Sequence, residues 1–390
     1  MPSQTELFGG TMLSPVRDPY SVYRRLRREQ PVIRVQSLLG EDHLITRYDD
    51  VVAVLKDAER FSSRGNARGI GLVIGRTILE MEGTEHVRHR KLVTPFLAPS
   101  ALRGGLETRI AEIAHGLIDA FAGDGHADLV AQFTFTFPIR VITHIVGIPM
   151  EDYAAFHRWA LDLVSVGDDP PRGFAAAERI VEYLRPVLEH RKAQPGADLL
   201  SALIHAEVDG QRLSDEEVLS FLRLLVPAGA ETTYRLIGSV LFALLSHPRD
   251  LEAVRADRAL LDLAIEETLR WESPVQYVSR ETTVPVTVGG VDIPAGELVS
   301  ACIGSANRDE TKFAAPERFD LHRKPEDHVA FGLGQHFCAG SHLARAESRI
   351  AVGALLDRLP GLRFDPAQTC EVLGLAFRSP DRLPVLFSGR

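Results

Sequence analysis

Phe331-Gly332-Leu333-Gly334-Gln335-His336-Phe337-Cys338-Ala339-Gly340 is the stretch that decides how this chain is read. Its glycines let a backbone turn tightly and come close to a flat ligand. Cys338 stands just before an Ala-rich, apolar run that predicts a helix from about Ala339 to Arg358. Its thiolate would face the amide end of that helix, where negative charge is favoured. A thiolate so held is a good axial ligand for an iron porphyrin. One Cys and one His two residues apart supply only half of a structural zinc site. A nucleotide-binding glycine loop would need a preceding strand, and none is evident. On these residues alone, a tight turn around a buried cysteine stays open.

Upstream, Ser214-Asp215-Glu216-Glu217 has the composition of a helix start, with Ser214 as cap and Glu217 three residues on. The helix it opens runs towards Leu245, long enough to cross a whole fold. In its middle lie Ala228-Gly229-Ala230-Glu231-Thr232-Thr233, directly after Pro227. The small residues leave room for something bulky against the backbone, and Glu231 and Thr232 could assist proton delivery. A proline-bent core helix with Thr bonding back to the preceding turn is the plainer reading. Glu267 and Arg270 are three apart on one predicted helix face and can pair, a structural contact in either case.

The rest is predominantly helical from 84 to 272. Asp18 can cap a first helix with Pro19 in its first turn, and short strands are predicted near Val32–Val35 and His43–Thr46. Asp49 or Asp50 opens the next helix. Residues 62–80 read as a long Gly- and Arg-containing loop with a binding role. Leu106, Ile110, Ile113 and Leu117 predict an amphipathic helix, as do Glu151–Val164 and Ala176–Leu188, with Pro170-Pro171 and Pro195-Gly196 as punctuation. Asp209-Gly210 makes a turn. Thr282–Leu298 predicts short antiparallel strands, 308–330 has no periodicity, and a strand-rich tail ends the chain. The fold class is therefore mainly α with small β-sheets, in one domain over 1–390.

The 390 residues include 44 basic and 53 acidic side chains, a net charge of −9 that argues against a nucleic-acid partner. The basic patch His86-Val87-Arg88-His89-Arg90-Lys91 suits a buried anionic group as well as a polymer. No signal peptide or membrane span is expected, so a cytoplasmic location follows. Three cysteines without close spacing make a poor disulfide framework, and Cys302 and Cys370 read as small buried hydrophobes.

In this order, the three motifs resemble the cytochrome P450 monooxygenases over essentially the whole chain. Phe331–Gly340 matches the family's cysteine loop, Ala228–Thr233 its oxygen-activating helix motif, and Glu267 with Arg270 its helix ion pair. Ala306-Asn307-Arg308-Asp309, then Phe313, Pro316, Phe319 and Asp320, look like the meander before the haem loop, braced by Asn307, Arg308, Asp309 and Arg323. The resemblance implies a triangular-prism fold and haem b, iron protoporphyrin IX, ligated by Cys338. It implies that His86, Arg90, Arg280 and His336 pair with the propionates, since carboxylates near a low-dielectric pocket need partners. It implies activation of O2, with Glu231 as acid and Thr232 as alcohol, and insertion of one oxygen atom into a hydrophobic small molecule. Residues of 62–80, Leu225, Ala228, Gly229, Thr233, Val275, Val278 and Phe377 are expected to contact that substrate.

With no flavin or nicotinamide domain recognisable, electrons are expected to pass from NAD(P)H through a flavin-containing ferredoxin reductase and an iron–sulfur ferredoxin, to a monomeric enzyme. Pro227 in the helix and Gln335 in the loop depart from the commoner pattern. Gln335 would alter docking of the redox partner. A peroxide-driven haem-thiolate enzyme and a noncatalytic haem sensor are the competing functions.

Overall fold

The computed structural model describes residues 1–37, 40–149 and 153–389. The helix Asp215–Ser246 is its axis: 32 residues, or roughly 48 Å at the helical rise. Its start is fixed by the expected capping box. Ser214 Oγ accepts from the Glu217 amide, and Glu217 Oε2 accepts from the Ser214 amide at 2.7 Å. The helix continues through Pro227, whose missing N–H leaves the Arg223 carbonyl without its intrahelical donor.

Two apolar cores share this helix end to end. Val218 to Ala230 pack with Phe156, Leu163, Ile180, Leu184 and Leu188, which belong to the helices Tyr153–Val164 and Pro170–Ala193. Leu236 to Leu245 pack with the helices Glu107–Asp119, Leu260–Trp271 and Ser341–Arg358. The stretch Glu231–Arg235 therefore falls at the seam between the two cores.

Most helices lie close to their predicted places, and the exceptions have local causes. Pro170-Pro171 opens the long helix Pro170–Ala193 rather than separating two helices. Asp169 Oδ1 caps it by accepting from the Arg172 amide at 3.2 Å, and a proline at the first position has no N–H to leave unpaired. Asp18 Oδ1 accepts from the Tyr20 and Ser21 amides as the helix Tyr20–Glu29 begins. Of the predicted helix from Glu151, the first two residues lie outside the described ones. Residues 62–80, expected as a loop, contain two short helical turns, Ser63–Arg68 and Gly71–Ile74.

A five-stranded sheet runs in the order Val32–Ser37, Gly40–Ile45, Leu298–Cys302, Tyr277–Thr282, Phe61–Ser62. The Leu298–Cys302 strand pairs parallel to Gly40–Ile45 and antiparallel to Tyr277–Thr282. The antiparallel pairing expected over Thr282–Leu298 holds for the Gly289-Gly290 hairpin, Val286–Val288 with Val291–Ile293, and for Leu298–Cys302 with Tyr277–Thr282; the parallel partner Gly40–Ile45 comes from outside that stretch. The sheet brings Arg280, on Tyr277–Thr282, beside Phe61–Ser62 and the turn that follows.

The segment between Asn307 and Leu333 has neither helix nor strand, and side chains hold it in place. Arg270, fully buried, donates two bonds to Glu267, at 2.8 and 2.7 Å, and further bonds to the carbonyls of Asn307, Pro316 and Arg318. Glu267 Oε1 also accepts from the Asp320 amide and from Arg323 Nε, both at 3.0 Å. Arg270 spends its donors on Glu267 and on three meander carbonyls, so truncation breaks a buried ion pair, leaves those carbonyls unpaired and leaves Glu267 with Arg323 and the Asp320 amide alone. Arg270→Ala is expected to lower stability by about 3–5 kcal/mol, read as a fall in melting temperature and in folded yield. Unchanged melting and yield would show that the network is peripheral.

Candidate active site

Cys338 lies three residues before the helix Ser341–Arg358, in a loop closed by its own amide donating to the Phe331 carbonyl at 2.9 Å. Gly332 and Gly334 both adopt positive φ, at 68° and 70°. At Gly334 a Cβ would stand 2.8 Å from the Leu55 carbonyl oxygen, so only glycine lets the loop rest on the end of the helix Tyr48–Lys56. Arg90, on the helix Gly83–Leu97, donates to the carbonyls of Gln335 at 3.0 Å and Phe337 at 2.5 Å, clamping the loop.

Cys338 is accessible at its surface yet surrounded by protein on most sides. That enclosure pushes its thiol up, against the Gly340 amide and the Arg90 and Arg345 guanidinium groups. The stabilisation expected from the helix end is thus outweighed by desolvation. A metal ion would reverse the balance, because ligation deprotonates a thiol outright. Of the other cysteines, Cys302 is buried, whereas Cys370, expected in the core, is half-buried and donates to the Arg382 carbonyl at 3.0 Å.

Three of the four expected anion partners gather around one residue the sequence reading did not single out, Glu82. His336 Nε2 is 3.2 Å from its carboxylate, the Gln335 amide donates to it, and the Ser62 hydroxyl and Ser63 amide bond its other oxygen. Burial would raise Glu82, but these hydrogen bonds hold it below the usual carboxylate range. The His86 ring lies 4.4 Å from that of His336. Burial, with His336 and Arg90 nearby, pushes His86 down to about 4. Arg280 is buried, donates to the neighbouring Ser279 carbonyl, and is pushed down to about 10 by desolvation, with Glu82 opposing. Half-buried Gln335 spends its side-chain amide on Glu82.

The long helix sorts its motif by face. Ala228 is exposed although the residues around it are buried, and half-buried Thr232 sits one turn on, its hydroxyl donating to the Ala228 carbonyl at 2.8 Å. Gly229 does not leave the expected opening: a Cβ there would meet Ile142 at 2.9 Å, so the glycine serves the packing of the helix Phe137–Val146. Leu225 and Thr233 are buried, and Leu225 is part of the apolar core. Val275 and Phe377 are bridged, and both are half-buried, as is Val278. From the 62–80 loop, Leu72 and Val73 line a groove of about 840 Å³ against Phe174, Ala177 and Val181.

Glu231 points away from Thr232, into the seam. Arg235 donates to its Oε1 through Nε at 2.8 Å and Nη2 at 2.5 Å, while Oε2 has no hydrogen-bond partner. Burial pushes the Glu231 carboxyl up, and Arg235 opposes. The i, i+4 spacing of Glu231 and Arg235 was a legible signal for this pair. His157, 4.0 Å from Glu231 Oε2, arrives from a distant helix and carried no sequence signal.

The residues fit an iron porphyrin. His86 Nδ1 is buried without a partner, two further cationic or protonatable groups converge beside it, and an accessible thiol stands behind a glycine loop. Among the described residues, no group of three or more His, Cys, Asp and Glu side chains is placed to hold a metal ion by itself, and no helix is long and apolar enough to cross a membrane.

Residues 169–365 match the Cytochrome P450 family model. The chain is 42% identical over 358 residues to "Cytochrome P450 monooxygenase PikC" of Streptomyces venezuelae, covering 89% of this chain and 85% of that protein. It is 37% identical over 369 residues to "Vitamin D(3) 25-hydroxylase" of Pseudonocardia autotrophica, covering 92% and 90%. The structure of CYP109E1 from Bacillus megaterium in complex with testosterone superposes with a TM-score of 0.88 at 30% identity, covering 95% of this chain and 98% of that one. The chain belongs to the cytochrome P450 family, of the bacterial type. It is a monooxygenase of the haem-thiolate class, and its mainly helical fold with small sheets is the family's.

Acid should test the seam directly. A free imidazole titrates near 6.5, whereas burial holds His157 down to about 4. Between those values the unfolded chain binds the extra proton, so acidification favours unfolding. In His157→Phe the melting temperature is expected to fall less steeply across this window than in wild type. Parallel curves would show that His157 takes its proton as readily in the folded chain.

Proposed function

We propose that Cys338 is the thiolate ligand of haem b and that the chain inserts one oxygen atom from O2 into a hydrophobic small molecule. The observation that carries this reading is the accessible Cys338 sulfur, held by a loop that Arg90 clamps at two carbonyls. His86, His336 and Arg280 would receive the porphyrin's carboxylates, with Arg90 bracing the loop and lending its charge. When bound, the haem supplies reductive activation of O2, which a thiolate ligand favours.

The protein's share is placement, dryness and protons. Ala228 leaves the helix surface open where a bulkier side chain would stand. The Thr232 hydroxyl, which donates to the Ala228 carbonyl, would turn from it to hold a proton at the face that Ala228 leaves open while accepting a hydrogen bond from behind. Glu231, held protonatable by burial, is the acid that resupplies it after a side-chain rotation. Val275, Val278 and Phe377 offer an apolar wall for the substrate. The vitamin D(3) and testosterone named for two relatives favour a rigid, polycyclic-sized hydrophobe. Electrons would come from NAD(P)H through a ferredoxin reductase and a ferredoxin.

Two substitutions test this reading. In Cys338→Ser the reduced carbonyl complex should lose its thiolate-type Soret band, and product formation should fall by at least about a hundredfold, a barrier increase of roughly 3 kcal/mol. A retained band would refute the ligand assignment. Thr232→Ala removes one hydroxyl and one back-bond within an otherwise intact helix. Product per NAD(P)H should fall several-fold and hydrogen peroxide should rise, with haem content preserved. Wild-type coupling in the loaded variant would defeat the role of Thr232, and lost haem content would make it structural.

A further inference from the structure

His157 is fully buried on the helix Tyr153–Val164, stacked on Phe135 with ring centroids 3.7 Å apart. Neither of its ring nitrogens makes a well-formed hydrogen bond, although the Phe135 backbone lies close enough to favour a proton on the ring. An imidazole so placed gives up hydrogen bonding that water would supply. On one side its Nε2 is 4.0 Å from Glu231 Oε2, which is itself buried and unpartnered. On the other side His157 forms part of the lining of a pocket of about 360 Å³, bounded by Phe135, Thr136, Ile139, Arg140 and Tyr153, beside the exposed Ala154.

We propose that this pocket is the proton entrance of the enzyme and that His157 passes protons from it to Glu231. The inference rests on the monooxygenase reading and adds the route by which its acid is recharged. His157 touches no reacting atom and acts through Glu231, as a positioning residue.

The step balances without an electron. Hydronium drawn from solvent into the pocket gives a proton to Nδ1 and returns to water, the proton on Nε2 passes to Glu231 Oε2, and the imidazole ends neutral as the Nδ1–H form, which loss of that proton to pocket water and reprotonation at Nε2 reset. The present gap exceeds a hydrogen bond by about 1 Å, within reach of a small rotation of either side chain. Protonation cancels the charge on Glu231, weakens its hold on Arg235 and frees it to turn towards Thr232. The charged and titratable groups facing the ring are Glu231, Arg235 and Tyr234 on the long helix, Arg140 across the pocket, and Tyr153 on its own helix. With Arg235 near and burial complete, His157 stays neutral at rest, as a relay must if it is not to trap the proton.

The test uses haem-loaded enzyme with its redox partners. His157→Phe keeps an aromatic ring on Phe135 and removes both nitrogens. Ala154→Trp roofs the pocket and leaves His157 in place. Each should lower product per NAD(P)H by roughly tenfold, less than loss of a direct general acid because stray water still reaches Glu231, and each should enlarge the solvent deuterium isotope effect. A second readout is independent of turnover. In the diamagnetic ferrous carbonyl form, the ring nitrogen resonances of His157 should report a preference for the Nε2–H tautomer, and Glu231→Ala should abolish it.

Wild-type coupling and isotope effect in both variants, or His157 resonances indifferent to Glu231→Ala, would overturn the relay. If His157→Phe loses haem or melts early, Ala154→Trp and the resonances decide. The thiolate band of the wild type and the uncoupling of Thr232→Ala do not involve His157. Their failure sinks the monooxygenase reading, while their success with a normal His157→Phe sinks the relay alone.

Discussion

Arg270 and Glu267 spend their hydrogen-bonding capacity inside the protein, and the irregular segment between Asn307 and Leu333 hangs from them. Arg270 binds the Asn307 carbonyl at 3.0 Å. The Asn307 side chain in turn donates to Ser273 Oγ and accepts from the Val329 amide at 2.8 Å. Val329 is two residues from Phe331, whose carbonyl closes the Cys338 loop. A charge pair in the core thus fixes the height at which a thiol is presented. Ions of this kind gain little over an apolar core in net stability. Their directional bonds set a backbone that has no repeating ladder of its own.

A second set of buried charges does different work. Glu231 and Arg235 occupy the seam where one core ends at Ala230 and the next begins at Leu236. The seam is the one stretch of the helix where a carboxylate can be enclosed without breaking a continuous apolar layer. Burial raises its affinity for a proton, and the adjacent Arg235 opposes that rise. That balance suits a group that must gain and lose a proton repeatedly.

The amount legible in the sequence followed the range of the interactions. The capping box at Ser214 and Glu217, the Glu267–Arg270 pair and the Cys338 loop are local, and each was readable from spacing. Arg235 was equally local and could have been named from its position four residues after Glu231. Gly229 was misread because room beside a glycine can be filled by the neighbouring helix, here by Ile142. The enclosure of the Cys338 thiol, which raises its proton affinity in the absence of a metal, comes from distant chain segments and had no local signal. His157 and Glu82 matter through contacts that only the tertiary fold creates, so no spacing rule could reach them.

The parallel pairing of Gly40–Ile45 with Leu298–Cys302 has a consequence for how the molecule comes into being. The N-terminal hairpin emerges early, but the strand that covers its edge is made roughly 250 residues later, an interval of about 10–50 s at ordinary rates of synthesis. Until then the edge is an open template for foreign strands. Asp42, whose buried carboxylate is bonded by Ser300 at 2.7 Å in the finished sheet, stays in water during that time and keeps its charge. The same residue that must be desolvated at the end therefore guards the exposed edge at the beginning, and docking of the late strand exchanges protection by charge for protection by pairing.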